Sequence, residues 1–122
     1  MKLEIINEDF SICKVNKLQE ELLSDEFLFV GKTDEELSVV CRTKNILKDC
    51  IEKEEGWAAF RFVGTLDFSL TGILAPVATI LAGEQIGIFA VSTFNTDYIL
   101  VKKKNLERAV IALEKAGYEF IR

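Results

Sequence analysis

The segment from Thr65 to Val101 constrains the fold most, because its local signals follow one another in the order of a single structural unit. A turn opens a helix with one apolar face, and two nearly continuous apolar strands come after the helix. The helix is predicted from apolar residues at helical spacing, namely Ile73, Leu74, Val77, Ile80 and Leu81. We therefore expect one face of this helix to pack on a sheet.

The two ends of this helix carry different signals. Thr71 is the expected N-cap, and Gly83 is the expected left-handed residue at the C-terminal end. Pro76 lies slightly too far from such an N-cap, because proline lacks an N–H group and fits best in the first turn. The sequence thus predicts a helix that begins later than Gly72 or has a loose first turn, with unpaired backbone N–H groups before Pro76 in both cases.

Two strands follow, over 86–93 and 98–101, and the turn-forming residues 94–97 between them predict a β-hairpin. Asn105 is the expected N-cap of a second helix that Gly117 ends. The apolar stripe of this helix is Leu106, Ala109, Val110, Leu113 and Ala116.

Short strands at 57–63 and 118–121 complete the order βαββαβ, which is the split βαβ arrangement of ferredoxin-like domains. Over 57–121 these residues also resemble the ACT domain. The resemblance rests on Gly72-Ile73-Leu74-Ala75, on Leu81-Ala82-Gly83, on Gln85-Ile86-Gly87-Ile88 and on the run 92–101. It is closest to short tandem-ACT proteins related to the regulatory half of aspartate kinase and to the animal cytosolic arginine sensor, and it implies an effector-binding regulatory module.

The first half of the chain predicts extended segments interrupted by a turn at 7–9, a short helix at 18–23, a hairpin of strands 27–30 and 37–41, and about two helical turns over 45–51. A shift of 61 positions places Val30 on Val91, Asp34 on Asn95 and Glu36 on Asp97. We therefore predict an α/β (α+β) chain of two βαββαβ units with antiparallel sheets. The units are a degenerate N-terminal ACT-like unit at 1–56 and a C-terminal ACT domain at 57–122.

Composition excludes several classes of function. A net charge of −5 and a pI near 4.8 oppose binding to nucleic acid and to an anionic membrane surface. Acidic residues near the N-terminus argue against a signal peptide, and no apolar run approaches the ~20 residues of a membrane span, so we expect a soluble cytoplasmic protein. Three cysteines without metal-ligand spacing are expected to be reduced thiols; these are Cys13, Cys41 and Cys50.

The chain has no histidine, which removes the commonest general base and the commonest nitrogen ligand for metals. No phosphate-binding loop or dinucleotide fingerprint occurs among the seven glycines. We accordingly predict no enzyme activity, no cofactor and no metal.

The candidate ligand site consists of two stretches. The turn before the first helix offers backbone N–H groups to a carboxylate, and Gly72 permits close approach; its candidate residues, carried over from the ACT resemblance, are Asp67, Ser69, Leu70, Thr71, Gly72 and Ile73. The alternative is a plain helix cap with a tight turn. The second stretch is Thr93 to Asp97, where Asp97 is either a turn residue or a partner for a ligand ammonium or guanidinium, and the ACT resemblance implies Phe94 and Asp97 as ligand contacts.

The predicted partner is an amino acid or a similar small metabolite. Open sheet edges and 49% hydrophobic residues also predict a homodimer, and a regulated enzyme is a further candidate partner. The alternative function is a ligand-free assembly or interaction module that acts on a partner enzyme.

Overall fold

A computed structural model describes residues 1–46, 49–67 and 71–122. The chain divides into two compact units: the larger one contains Met1–Asn7 and Ala58–Arg122, and the smaller one contains Glu8–Trp57. The sequence predicted a boundary between two ACT-like repeats, at 1–56 and 57–122. The compact units are defined by contacts in the fold and not by similarity between repeats, so this division stays a prediction.

The described residues form strands, α-helices and short 3-10 helices. In chain order these are β1 (Lys2–Val15), a 3-10 helix (Glu20–Ser24), β2 (Leu28–Lys32), β3 (Leu37–Arg42), a 3-10 helix (Thr43–Asn45), β4 (Cys50–Phe62), α1 (Leu74–Gly83), β5 (Ile88–Ser92), β6 (Asp97–Lys102), a 3-10 helix (Lys103–Asn105), α2 (Leu106–Lys115) and β7 (Glu119–Ile121).

From β4 to β7 the larger unit follows the predicted order of strand, helix, strand, strand, helix and strand. Strands β5 and β6 form the predicted antiparallel hairpin, in which Ile88 lies opposite Val101 and Ser92 lies opposite Asp97. Strand β6 is in turn the hydrogen-bonded neighbour of β4. The antiparallel hairpin predicted from the sequence is therefore confirmed.

The last strand of the larger unit has an unexpected partner. Strand β7 pairs in parallel with the start of β1, where Lys2 lies opposite Glu119 and Glu4 lies opposite Ile121. A strand pattern shows which faces are apolar but not which strand is the neighbour. The expectation of purely antiparallel sheets is therefore corrected by one parallel pair.

The core of the larger unit lies between its strands and the two α-helices. Phe60 and Phe62 of β4 are fully buried there, and the ring of Phe60 meets that of Phe120 edge to face at 5.5 Å. The predicted stripe of α1 is confirmed, because all five of its residues belong to or pack against this core. Each fully buried large apolar side chain contributes about 1.5–3 kcal/mol. The fully or nearly fully buried residues of this core include Leu3, Val77, Leu81, Ile99, Val101, Ala109, Val110 and Leu113.

The predicted start of α1 later than Gly72 is confirmed, but both predicted cap residues are wrong. The helix begins at Leu74 after Ile73, and Thr71 is not its N-cap. This later start places Pro76 in the first turn, where its missing N–H group removes no helical hydrogen bond. At the other end Gln85, with φ of 59°, is the left-handed residue, and the amide of Ile86 donates to the carbonyl of Leu81 at 2.9 Å. Gly83 instead remains inside the helix.

The bounds of α2 agree with the sequence. Asn105 is the N-cap residue, although its side chain makes no capping bond; its Oδ1 accepts a hydrogen bond from Arg108 at 3.2 Å. Gly117 has φ of 102°, and the amide of Tyr118 donates to the carbonyl of Leu113 at 3.1 Å. The prediction that Gly117 ends this helix is confirmed, because the chain reverses through the left-handed residue that glycine accommodates.

The smaller unit is built from strands and 3-10 helices. Strand β3 lies between β2 and β1 and is antiparallel to both, and β1 is also a neighbour of β4. The strand order β2-β3-β1-β4 is therefore that of a split βαβ unit. No α-helix occurs among the described residues of this unit, so a second complete βαββαβ unit is not confirmed.

Two local predictions for the first half are wrong, and a third is confirmed as a short helix of the 3-10 type. Strand β1 runs through 7–9 without a turn, because hydrogen-bonded neighbours on both sides override the weak turn signal. The helix expected at 18–23 is a 3-10 helix at Glu20–Ser24. Of the helix expected at 45–51, Cys50 and Ile51 instead begin β4, while 47–48 lie outside the described residues.

An ion-pair network holds the 3-10 helices of the smaller unit. The guanidinium of Arg42 contacts Asp25 at 2.6 Å and Glu8 at 3.0 Å, and Asn45 donates a hydrogen bond to the Asp25 carboxylate. The amide of Phe27 also donates to Asp25, at 3.3 Å. Only 2% of the Asp25 side chain is exposed, so these bonds compensate for its removal from water.

The two hairpins have the same register. Leu28 pairs with Cys41 in the first hairpin, and Ile88 pairs with Val101 in the second. Each residue of the second pair therefore lies 60 positions after its counterpart in the first pair. The predicted shift of 61 is therefore wrong by one residue, and Asp97 corresponds to Leu37 rather than to Glu36. The shift of 61 matched two carboxylates, but a slip of one residue moves every side chain to the opposite face of a strand.

Candidate ligand-binding site

The turn of the hairpin between β5 and β6 is held by its own threonines. The amide and the hydroxyl of Thr93 both donate to the carbonyl of Thr96, at 2.8 and 2.9 Å. The amide of Thr96 donates in return to Oγ1 of Thr93 at 3.3 Å. Threonine favours such turns because its hydroxyl bonds to nearby backbone groups. The turn is therefore fixed without help from the rest of the chain.

Two further hydrogen bonds attach this turn to the last residue of β4 and to the segment that follows it. The hydroxyl of Thr96, which is 7% exposed, donates to the carbonyl of Phe62 at 3.0 Å. The amide of Leu66 donates to the carbonyl of Asn95 at 2.6 Å. These bonds bring 66–67 beside 92–97, although the two stretches are far apart in the sequence.

A cavity of about 200 Å³ lies where these stretches meet. It is shared by four of the candidate residues that the sequence identified, which are Asp67, Ile73, Phe94 and Asp97. The remaining lining residues are Leu66, Ser92, Thr93, Asn95 and Thr96. The structure thus joins the two candidate stretches at one place in the larger unit.

The lining of the cavity contains both acidic and apolar side chains. Asp67 and Asp97 supply two carboxylates, and none of the described lining residues is a lysine or arginine. Phe94 is 77% exposed at the end of the hairpin, whereas Ile73 is half-buried. Paired carboxylates beside apolar surface favour a ligand with a cationic group and a short apolar portion.

The N-terminus of α1 adjoins this cavity through Ile73, the residue before Leu74. The amides of Leu74 and Ala75 lie in the first turn, where N–H groups have no partner within the helix. Gly72 has φ of 69°, and a Cβ atom added there would meet no atom within 4 Å. The start of α1 therefore combines backbone donors with a residue around which the backbone is open to approach.

A second cavity of about 210 Å³ lies on the other side of Ile73. Gly72 and Ile73 line it together with Met1, Ala116, Gly117 and Tyr118. Among the described residues, Ile73 is the one that lines both cavities.

The other candidate residues are placed differently. Thr71 is exposed and is not among the described residues that line either cavity. Ser69 and Leu70 lie outside the described residues. The second candidate stretch, Thr93 to Asp97, lines the first cavity throughout. Sequence reasoning missed Leu66 and Ser92, for which no local pattern gave a signal.

Arg61 holds strand β6 in place next to Asp97. Its guanidinium donates to the hydroxyl of Tyr98 at 2.9 Å and to Glu4 at 3.0 Å, and it lies 5.7 Å from the centre of the Tyr98 ring. The hydrogen bond to Tyr98, with that to Glu4, raises the pKa of Arg61 against the opposing effect of burial. Arg61 therefore fixes the strand position directly after Asp97.

Across 1–46, 49–67 and 71–122, no group of three or more acidic or cysteine side chains is arranged to hold a metal ion. The described helices are also too short or too polar to cross a membrane.

Comparisons with known proteins agree with this architecture. The family model of the ACT domain matches residues 52–115. No curated protein matches the chain in sequence.

Three solved structures illustrate the likeness. A protein from Agrobacterium tumefaciens is 34% identical, with a TM-score of 0.89 and coverage of 98% of this chain and 91% of its own. The ligand-free regulatory subunit of aspartate kinase from Thermus thermophilus is 12% identical, with a TM-score of 0.64 and coverage of 94% and 96%. Aspartate kinase from Clostridium acetobutylicum is 18% identical, with a TM-score of 0.65, and the match covers 90% of this chain but 33% of the kinase. The last two share the fold.

Proposed function

This chain belongs to the ACT domain family, as its sequence resemblance predicted, and on that premise we propose that it is a regulatory protein without catalytic activity that binds a free amino acid or a similar small metabolite. The observation that carries the proposal is the cavity shared by Asp67, Ile73, Phe94 and Asp97. The regulated partner would be an enzyme, and the binding protein would act as a homodimer.

The volume of the cavity favours a small ligand. Drug-sized ligands occupy pockets of about 300–1,000 Å³, whereas this cavity holds about 200 Å³. An amino acid suits this space better than a nucleotide cofactor does. The chemistry of the lining agrees, because an amino acid carries one anionic and at least one cationic group on a compact frame.

We assign the two ends of the ligand to different groups at the cavity. The carboxylate would accept hydrogen bonds from the first-turn amides of α1, near Gly72 and Ile73, where the helix dipole favours negative charge. The cationic end would lie near Asp67 or Asp97. The resemblance to the ACT domain assigns three further residues to the same ligand-binding turn, namely Ser69, Leu70 and Thr71.

The geometry also ranks ligands by charge. Two carboxylates without a lining lysine or arginine favour a ligand with a second cationic group, such as lysine or arginine, over a neutral one. Two or three charge-assisted bonds and a small apolar contact support a dissociation constant of roughly micromolar to millimolar, which is about −4 to −8 kcal/mol.

Thermal denaturation of the purified protein with each of the twenty amino acids tests the proposal. At about 100 times its dissociation constant, a ligand should stabilise the folded protein by ~2.7 kcal/mol. Citrulline, a neutral analogue of arginine, separates the effect of charge from that of size. If no amino acid raises the melting temperature, the proposal fails and the alternative of a ligand-free assembly module replaces it.

Matched variants locate the site. Asp97→Asn and Asp67→Asn each remove one lining carboxylate and should weaken binding of a cationic ligand by about 10–100-fold, since a hydrogen bond to a charged group contributes about 1.5–3 kcal/mol. Asp34→Asn removes an exposed carboxylate from the turn of the other hairpin and should leave binding unchanged. Equal loss of affinity in Asp34→Asn would show a general charge effect rather than a site.

A further inference from the structure

The three cysteines of the smaller unit converge on one small cavity. Cys13 of β1, Cys41 of β3 and Cys50 at the start of β4 all line it, and its volume is about 20 Å³. A space of this size holds about one water molecule, so it cannot admit a metabolite. The chemistry available there belongs to the thiols themselves, none of which is in a disulfide.

The three thiols differ in exposure. Cys13 is 3% exposed and Cys41 is 1% exposed, while Cys50 is half-buried. An oxidant in solution therefore reaches Cys50 most readily. The side chains of Lys17 and Asp49 lie at the same cavity, and the ammonium of Lys53 also acts on the cysteine cluster.

The two buried thiols are poor nucleophiles in the native state. Burial, followed by the hydrogen bond and the charge of Cys50, raises the pKa of Cys13 to about 12. Burial, followed by the charge of Asp25, raises the pKa of Cys41 to about 11. The thiolate is the reactive form of cysteine. Attack on an oxidant must therefore begin at Cys50.

Cys13 is the thiol placed to complete the reaction. Its side chain is hydrogen-bonded to that of Cys50, and β1 and β4 are neighbouring strands. Cys41 is also hydrogen-bonded to Cys13, but Cys13 lies opposite Val39, so Cys41 is diagonal to it across β1 and β3. Diagonal neighbours on adjacent strands are about 7–8 Å apart, which exceeds the usual Cα separation of about 4.4–6.8 Å in disulfides.

We infer that Cys50 and Cys13 form a peroxide-sensitive thiol pair that closes to an intramolecular disulfide, with Cys50 as the attacking residue and Cys13 as the resolving residue. The inference concerns the smaller unit and does not depend on the ligand proposed for the larger one.

The reaction balances with a hydroperoxide as the oxidant. The Cys50 thiolate attacks one peroxide oxygen, the O–O bond breaks, and the departing alkoxide or hydroxide takes a proton, which leaves a sulfenic acid on Cys50. The Cys13 sulfur then attacks the Cys50 sulfur. The S–O bond breaks, and the hydroxyl group leaves as water with the proton of Cys13. The two thiols are oxidised to one disulfide, and the hydroperoxide is reduced to an alcohol or water.

Mass spectrometry of the native full chain tests this inference. After exposure to hydrogen peroxide, the wild type should lose the mass of two hydrogen atoms, and one linked pair of tryptic peptides should contain Cys13 and Cys50. One thiol, that of Cys41, should remain open to alkylation. The melting temperature should rise on oxidation and fall again with dithiothreitol, because a cross-link constrains the unfolded chain.

Single variants separate the roles. Cys41→Ser should form the same link as the wild type, and Cys50→Ser should form none. Cys13→Ser should stop at the sulfenic acid and give a dimedone adduct on Cys50. Three alkylatable thiols in peroxide-treated wild type, or a link that contains Cys41, would overturn the inference, and neither result depends on a variant that folds.

Discussion

The hydroxyl of Thr96 donates a 3.0 Å hydrogen bond to the main-chain carbonyl of Phe62, and this bond joins the turn that lines the candidate cavity to the last residue of β4. Thr96 is 7% exposed and Phe62 is fully buried, so water cannot replace the bond. The same threonine is the backbone partner of Thr93 at the end of the hairpin. One side chain therefore connects the stability of the larger unit to the shape of its cavity.

We expect Thr96→Val to destabilise the protein by about 1–3 kcal/mol, because it leaves the carbonyl of Phe62 buried without its partner. Thr96→Ser keeps the hydroxyl and should lose much less stability. Urea denaturation of both variants measures the difference. Equal losses in the two variants would mean that the methyl group of Thr96 contributes as much stability as its hydroxyl does, which contradicts the prediction.

The second prediction concerns substitutions at Gly72. With φ of 69° and no atom within 4 Å of an added Cβ, substitution there costs backbone strain rather than a steric clash. Gly72→Ala should cost about 1–2 kcal/mol of stability, and Gly72→Val should cost more and abolish the ligand-induced rise in melting temperature. Gly83→Ala is the matched control, because Gly83 is helical and open; it should stabilise α1 by up to about 1 kcal/mol. A Gly72→Val protein that folds and binds normally would refute the assignment of this turn.

The sequence predicted the larger unit well for a definite reason. The stripes of α1 and α2 and the apolar runs of β5 and β6 repeat at periods of 3.6 and 2, and each is long enough to specify its element. The ACT resemblance, rather than these signals, implied Asp67, Ile73, Phe94 and Asp97 as ligand contacts. The periodic signals could not show that these residues share a cavity, because that depends on the hydrogen bond from Leu66 to Asn95.

The smaller unit was predicted less well. Its expected helices span few residues, and such short segments follow tertiary contacts rather than their own periodicity. The hydrophilic run 52–55 was expected among turns and exposed faces, but it belongs to β4, which begins at Cys50, and every residue from Ile51 to Gly56 is exposed. The parallel pairing of β7 with β1 joins the two ends of the sequence, and no local pattern reveals it.

Open strand edges predict the oligomeric state. Among the described strands, β2 and β5 each end the sheet order, and Val30 on β2 is 45% exposed. Unpaired edges with apolar side chains are usually covered by another strand. We expect a homodimer, which light scattering over a wide concentration range can detect. Val30→Lys places a charge on the β2 edge and should favour the monomer if that edge is the interface. A wild-type monomer at every concentration would contradict the prediction.

The last prediction concerns acid stability and the buried carboxylate of Asp25. Burial by itself raises the pKa of this group, but hydrogen bonds from Arg42, from Asn45 and from the amide of Phe27 outweigh burial and hold the pKa below its ordinary value of 3.8. A carboxyl group whose pKa is lower in the folded state stabilises the protein above the pKa of the unfolded state. That stabilisation is lost as the pH falls through the folded value.

We therefore expect the stability of the wild type to decline from about pH 4 downward by more than that of Asp25→Asn, whose amide does not titrate. The variant should be less stable than the wild type at pH 7, because Arg42 loses its closest charged partner. The gap between them should narrow in acid. Denaturant unfolding from pH 7 to pH 2.5 measures both effects, and Glu26→Gln is a control because it removes a nearby carboxylate on the same segment. A gap that stays constant across this range would mean that Asp25 keeps its ordinary pKa, and that the contact with Arg42 adds no acid-sensitive stability.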